Sequence, residues 1–154
     1  MKRVRVGDII EIATTKGLAY AQCTHIHVRY GHLIRILAGF HQTRPNSLGV
    51  LCANGEQFVT FCLVQKAVSK RTFEVVGHET VPKHAQRFPL FRAAGSRDPQ
   101  TGRVHNWWLW DGERESHLGD LKPEQRHLPI LGIWDDVLLV RRIAQGWTPG
   151  KDPS

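Results

Sequence analysis

Three cysteines are all that this chain of 154 residues contains. They stand at scattered positions, Cys23, Cys52 and Cys62. An odd, sparse set argues against a disulfide framework and for free thiols packed as small hydrophobes in a reducing compartment. The opening MKRVRVGDIIEI is basic but lacks the apolar stretch of about 7–15 residues that marks a secretory signal. No segment approaches the roughly 20 apolar residues of a membrane helix. A cytoplasmic protein with no membrane partner is therefore expected. CxxC, HExxH, GxSxG and glycine-rich phosphate loops are also missing, and with them the usual signatures of zinc sites, serine hydrolases and nucleotide folds.

Acidic residues are few as well. Fourteen Asp and Glu stand against 21 Lys and Arg, leaving a net charge of +7 and a pI near 9.8. Such a surplus suits nucleic acid or an anionic membrane, because each cation displaces counterions from phosphates. What is lacking is concentration of that charge. Lys2, Arg3, Arg5, Lys66, Lys70, Arg71, Lys83, Arg87, Arg92, Arg97, Arg103, Arg141 and Arg142 are spread along the length, and no run of five basic residues occurs. A solvated, modestly basic surface is the plainer reading. Hydrophobic content of 41% and charged content of 23% are those of an ordinary globular chain. One domain over residues 1–146 is expected, with 147–154 as a frayed tail from which Trp147 could dock back.

What is present reads mainly as strands. DIIEI at 8–12 is followed by Thr14-Thr15-Lys16-Gly17, a turn, and LAYAQCTHIH at 18–27 returns as a hairpin. LIRILAGF at 33–40 and QFVTFCLV at 57–64 follow, the latter apolar on both faces and so buried on both sides. Residues 41–55 read as a loop, RTFEVV at 71–76 as a short strand, and DVLLVRRI at 136–143 as the last strand. Pro82 and Pro89 bracket a two-turn helix at 82–87, and Pro123 and Pro129 bracket a second, with Asp120 placed to cap it. The expected fold is mainly β, a β-rich α+β domain built on an antiparallel curled sheet or partly open barrel with two short helices.

The densest aromatic stretch is HNWWLWDG at 105–112. Val104–Trp110 has strand character, Asp111-Gly112 is a hairpin signal, and ERESHL at 113–118 would return antiparallel. Alternation places Trp107 and Leu109 on one face, Trp108 and Trp110 on the other. One face should meet a core. The other is either a second core layer or a displayed platform, on which a stacked base contributes on the order of 1–3 kcal/mol and which also suits a protein hot spot.

Other side chains invite chemistry. Cys23, His25 and His27 alternate along a strand and could offer three zinc ligands, although no fourth has recognisable spacing. The plainer reading is a polar strand end beside a buried thiol, and neither metal nor cofactor is expected. Cys62 in its strand reads as an inert core thiol. The adjacent Asp135 and Asp136 would point oppositely on a strand. A small hydrolase built across the hairpin from His105, Asp111, Glu113 and His117 is conceivable.

The succession VGDIIEI, GLAYAQCTH, YGHLIRILAGF, FVTFCLV, VPKHAQRFPLFR, NWWLWDG, LKPEQRHLPILGIW and DDVLLV, spanning about residues 5–143, resembles the immunity protein twenty-six family of bacterial polymorphic toxin systems. The resemblance implies a small, mostly β protein that neutralises a cognate toxin by binding it, without catalysis. It carries no catalytic residues over. One departure stands out: inhibitors of basic nuclease toxins tend to be acidic, because opposite potentials speed encounter, whereas this chain carries +7. A neutral or acidic toxin, an apolar contact, or a shared fold alone would each account for that. The expectation is stoichiometric binding of a toxin protein, with Trp108, Trp110 and Arg114, or the 95–102 loop with Arg97 and Arg103, as the contact. The alternative is a nucleic-acid-binding module using the same aromatic strand and a basic rim.

Overall fold

The alternation in DIIEIAT puts Ile10 and Ile12 on one face of a strand and Ile9 and Glu11 on the other, and both faces find a cover. In the computed structural model, which describes residues 2–154, this segment is β1 (Asp8–Thr14). The turn at Gly17, with φ at +123°, returns the chain as β2 (Gly17–His27). Next come β3 (Gly31–Leu37), α1 (Leu48–Ala53), β4 (Glu56–Cys62), α2 (Val64–Ser69) and β5 (Phe73–His78). The second half runs α3 (Lys83–Gln86), β6 (Phe91–Ala94), β7 (Trp107–Trp110), β8 (Glu115–Gly119), β9 (Ile133–Trp134) and α4 (Asp136–Ala144). Two 3-10 turns, Pro123–Gln125 and Pro149–Lys151, complete it.

The fold is β-rich α+β, as the sequence predicts, in two sheets that form no closed barrel among the described residues. The larger has the order β5-β1-β2-β3-β4-β9 and the smaller β6-β7-β8. Every pairing is antiparallel except β4 with β9. One face of the large sheet, with Ile10, Ile12, Ala21, Cys23, Ile34, Ile36, Phe58 and Cys62, is covered by α2 and α4 through Val64, Ala67, Leu139 and Ile143. The opposite face is shared. Ile9, Tyr20 and Leu37 meet Leu51 and Cys52 of α1, while Leu33 and Phe61 meet Phe91 and Trp110 of the small sheet. Strand β4 is thus buried on both sides, as its apolar run requires.

Three expectations are corrected. DVLLVRRI is helix α4, not a strand. Asp135 caps it, its carboxylate accepting the Leu138 amide at 2.8 Å; Asp136 lies in the first turn, Arg141 and Arg142 in the last, and Leu139 and Ile143, four apart, face the core. The adjacent aspartates are a helix start, and VLLV fits either period. Residues 147–154 are packed rather than frayed: Trp147 meets Phe58 at 5.1 Å and Trp134 at 5.0 Å, and Pro149 and Ser154 are buried. Asp120 caps nothing. Lys122 is the cap residue of the 3-10 turn, and its amide donates to the Gln125 side chain at 2.9 Å. The 41–55 loop also contains α1, which the sequence reading misses.

Arg92 locks the small sheet to this C-terminal segment. The residue is fully buried. Its Nη2 donates to the carbonyl of Pro149 at 2.9 Å, with longer contacts at 3.4 Å to Arg126 O from Nη2 and to Leu128 O from Nε. The guanidinium lies 4.6 Å above the Trp107 ring. Burial, reinforced by the Arg126 charge, lowers its pKa to about 10. Removing the side chain leaves buried carbonyls without donors, at about 1–3 kcal/mol each. Arg92→Ala should therefore lower unfolding free energy by about 3 kcal/mol. Arg92→Lys should recover less than half of that, because an ammonium cannot reach three carbonyls in one plane. Urea unfolding midpoints check both.

Candidate partner-binding site

The residues singled out by sequence do not form one patch. Phe91, Ala93, Trp108 and Trp110 share one face of the small sheet, by the register Phe91↔Trp110 and Ala93↔Trp108. Trp110 is only 7% exposed, packed edge-on against Phe88 at 5.5 Å and His27 at 5.0 Å. Trp107, on the other face, lies under Arg92. The second face is therefore a second core layer, and Trp110 is no part of a display. Trp108 remains half-buried beside His117, whose ring is 4.9 Å away. Arg114 sits in the exposed four-residue turn at 111–114, where the Asp111 carboxylate accepts the amides of Glu113 and Arg114. Those two bonds hold Asp111 below the usual carboxylate range. Arg97 and Arg103 lie beyond the other end of the hairpin. There the Arg97 side chain donates to Gly102 O at 2.6 Å, and Asp98 N donates to Arg103 O at 2.8 Å. A strand of this length separates the two ends by ~13 Å.

The other candidates are likewise scattered. A bulge between Cys23 and His25 breaks the alternation that would have aligned the metal trio. Cys23 enters the core, His25 bonds Thr24 and Gln86, and His27 bonds the carbonyl of Gly112 at 2.9 Å. Among the described residues, no group of three or more His, Cys, Asp or Glu is placed to hold a metal ion. Burial pushes the thiols of Cys23 and Cys62 up to about 12 and raises that of Cys52, so none is a ready thiolate. His105 pairs with Asp120 at 3.1 Å and His117 with Asn106, whereas Asp111 and Glu113 occupy the turn at the opposite end of β7.

What the sequence does not reveal is a groove of about 720 Å³ along β5, an outer strand of the large sheet. Lys2, Arg5, Arg71 and His78 line it together with the carboxylates Asp8 and Glu74, and Val68 and Val75 lie among them. Separate segments bring these cations together. The Gln65 side chain of α2 accepts the Val4 amide at 2.8 Å and donates to Lys2 O at 3.4 Å, which pins the N-terminal residues beside α2. Buried Asp8 then gathers Arg5 and His78, accepting the Arg5 amide at 2.8 Å and pairing with His78 Nδ1 at 2.9 Å. Gly7 permits this approach: at φ +98°, a Cβ there would stand 2.7 Å from the His78 ring and 2.9 Å from Glu79 O.

Arg71 arrives from the other end of the strand. It follows α2 in a double-bonded C-cap, with Arg71 N donating to Val68 O and Thr72 N to Ala67 O, both at 3.0 Å. That motif places its C′ residue in the left-handed region, normally a glycine position. Arg71 is the one non-glycine residue with positive φ among those described, at 65°. Neighbouring charges are already matched: Lys70 pairs with Asp136 at 3.1 Å, and Glu74 with Arg44 at 3.3 Å. Among the described residues, Lys2 and Arg71 have no carboxylate partner.

No family model, curated protein or solved structure matches the chain.

Two outcomes follow. Relief of the left-handed strain, roughly 1–2 kcal/mol, exceeds the added backbone entropy of glycine, roughly 0.5–1 kcal/mol. Arg71→Gly should thus leave stability unchanged or raise it by about 0.5 kcal/mol in thermal unfolding. The second concerns Glu11, which receives Arg44 at 2.7 and 3.1 Å and the Tyr20 hydroxyl at 2.8 Å. Arg44 chiefly, with Tyr20, holds its carboxyl below the ordinary 4.5. A depressed carboxylate contributes stability above its unfolded pKa and loses it as pH falls through the folded one. Stability should therefore decline below about pH 4.5, and a Glu11→Gln variant, less stable at pH 7, should show a flatter acid limb in unfolding measured from pH 7 to 3.

Proposed function

We propose that this protein is an immunity protein: it binds a cognate bacterial toxin one-to-one, through the β5 edge, and occludes it without catalysis of its own. The observation that carries this reading is the β5 groove. A six-residue strand pairs on one side only, with β1, and its free side is flanked by Lys2, Arg5, Arg71 and His78. Placing an arginine in a strained glycine position is a feature that binding sites retain and plain stability does not reward. The groove also accounts for the departure in charge: a cationic contact face fits a toxin whose matching surface is acidic.

Cations of this kind would also suit phosphate. A nucleic-acid reading has less support, because single-strand binders stack bases on exposed rings. Phe73, the ring nearest the groove, is buried, and Trp108 belongs to the other sheet. The chain also has no helix long and apolar enough to cross a membrane among the described residues.

The test is co-expression with a candidate toxin domain, sought in the genes adjoining its own. Protection of the host, together with a 1:1 complex by size exclusion with light scattering, is the expected result. Trp108→Ala and Arg114→Ala should protect as well as the wild type, since neither lies at the groove. Failure of the wild-type chain to bind or protect, or binding to oligonucleotide that falls log-linearly with salt, would remove the proposal.

A further inference from the structure

Resting on that reading, we infer that the partner's contact is an extended acidic segment that adds to β5 as a seventh strand, with a carboxylate at each end and an apolar residue between. Four observations converge on this. First, β5 is an open edge. On the small sheet, β6 is covered by residues 129–131, since Arg92 N donates to Pro129 O and Leu131 N to Arg92 O. The short β9 closes the far side of β4. Two other end strands remain: β9, two residues long, and β8, bordered by charges of both signs, Glu113, Arg114 and Glu115. Beside β5, by contrast, the groove's two carboxylates, Asp8 and Glu74, are already engaged by His78 and Arg44, which leaves Lys2 and Arg71 without a carboxylate partner among the described residues.

Second, the side chains along the groove have an order. Phe73 packs on the α2 side and Val76 against the α1 cluster, while Val75 and Glu74 both border the groove, Glu74 held by Arg44. Arg71 precedes this strand, and Arg5 and His78 stand at its far end. Val75, 37% exposed, lies between them with Val68. In an extended segment, residues i, i+2 and i+4 share one face. The matching pattern is therefore acidic-x-aliphatic-x-acidic, and six residues of β5 span ~20 Å, enough for five or six partner residues.

Third, main-chain bonds to a sheet edge supply affinity, while alternate side chains supply specificity. Fourth, the cations do not act only as the guard charges that keep edge strands from self-pairing. Guard charges sit on the edge strand itself, and here the strand's own charge is Glu74, engaged by Arg44, whereas Lys2, Arg5 and Arg71 come from flanking segments.

The experiment uses the full chain and the peptide acetyl-Glu-Thr-Val-Thr-Glu-amide, with acetyl-Lys-Thr-Val-Thr-Lys-amide and a 12-base single-stranded oligonucleotide as the other arms. The acidic peptide should bind in the micromolar to millimolar range, shift the amide resonances of residues 73–78 and slow their hydrogen exchange. Arg71→Gly, which keeps the fold, should weaken it at least fivefold, and Lys2→Gln two- to threefold. No binding at millimolar peptide, equal binding of the basic peptide, displacement by the oligonucleotide, or binding that leaves residues 73–78 unchanged would each overturn the inference. The same exchange measurement on the toxin complex separates the two levels. A complex that protects the host while residues 73–78 stay unprotected sinks the added strand alone; peptide bound on β5 with no toxin neutralised sinks the immunity function and leaves the strand site standing.

Discussion

The architecture depends on burying guanidinium groups that donate to main-chain carbonyls of irregular segments. Irregular segments cannot satisfy their own carbonyls, and a buried acceptor left without a donor is costly. A guanidinium offers five donors in one plane, so a single arginine can bind such a segment to a sheet. Arg92 does this for the carbonyls of 126, 128 and 149. Arg35 does it on the large sheet, donating to Cys52 O at 2.6 Å and Asn54 O at 3.2 Å, with Nε to the Gln22 side chain at 2.9 Å. It thereby fastens the end of α1 to β3, between the two apolar clusters of that face. Arg142, stacked 4.4 Å from Trp134 and 4.8 Å from Trp147, seals the C-terminal segment in a related way. Burial lowers the pKa of all three, yet each stays protonated at neutral pH.

This changes what the net charge means. Arg35 and Arg92 are structural and give little to a surface field, and Arg44 and Lys70 are neutralised by Glu11, Glu74 and Asp136. The cations left without carboxylate partners are fewer than the composition suggests, and two of them, Lys2 and Arg71, share the β5 groove.

The parts of the fold legible in sequence are those with a strong local period or an unambiguous turn. β1 through β4 follow from aliphatic alternation and Gly17, and the Asp111-Gly112 turn marks what it predicts. The prolines mark where helical turns begin but not their length, since the two-turn helix expected at 82–87 is the single turn Lys83–Gln86 and the one after Pro123 is a three-residue 3-10 turn. The reading fails where apolar period is ambiguous, as in VLLV, and where a segment is held by partners remote in sequence, as residues 147–154 are by Arg92, Arg126 and Trp134. The pairing of Trp107 with a buried cation could not be seen from the tryptophans alone. The groove was invisible for a plainer reason: its residues come from 2–8, 68–71 and 73–78, and each segment by itself is an ordinary scatter of charges.

Topology explains why those charges meet. Because β5 runs antiparallel to β1, the end of β5 at His78 lies beside the start of β1 at Asp8, and its beginning at Phe73 lies beside Ile12. Residues leading into β1, such as Arg5, must therefore emerge near His78, while the residue that closes α2 must emerge at the opposite end. Two sites of positive charge separated by one strand length are a consequence of the strand order, once α2 ends in a C-cap whose left-handed position holds arginine. A uniformly charged polyanion would leave the apolar centre at Val68 and Val75 uncovered. A strand with acids at i and i+4 satisfies the cations, the valines and the free edge together, which is why the arrangement discriminates by spacing as well as by sign.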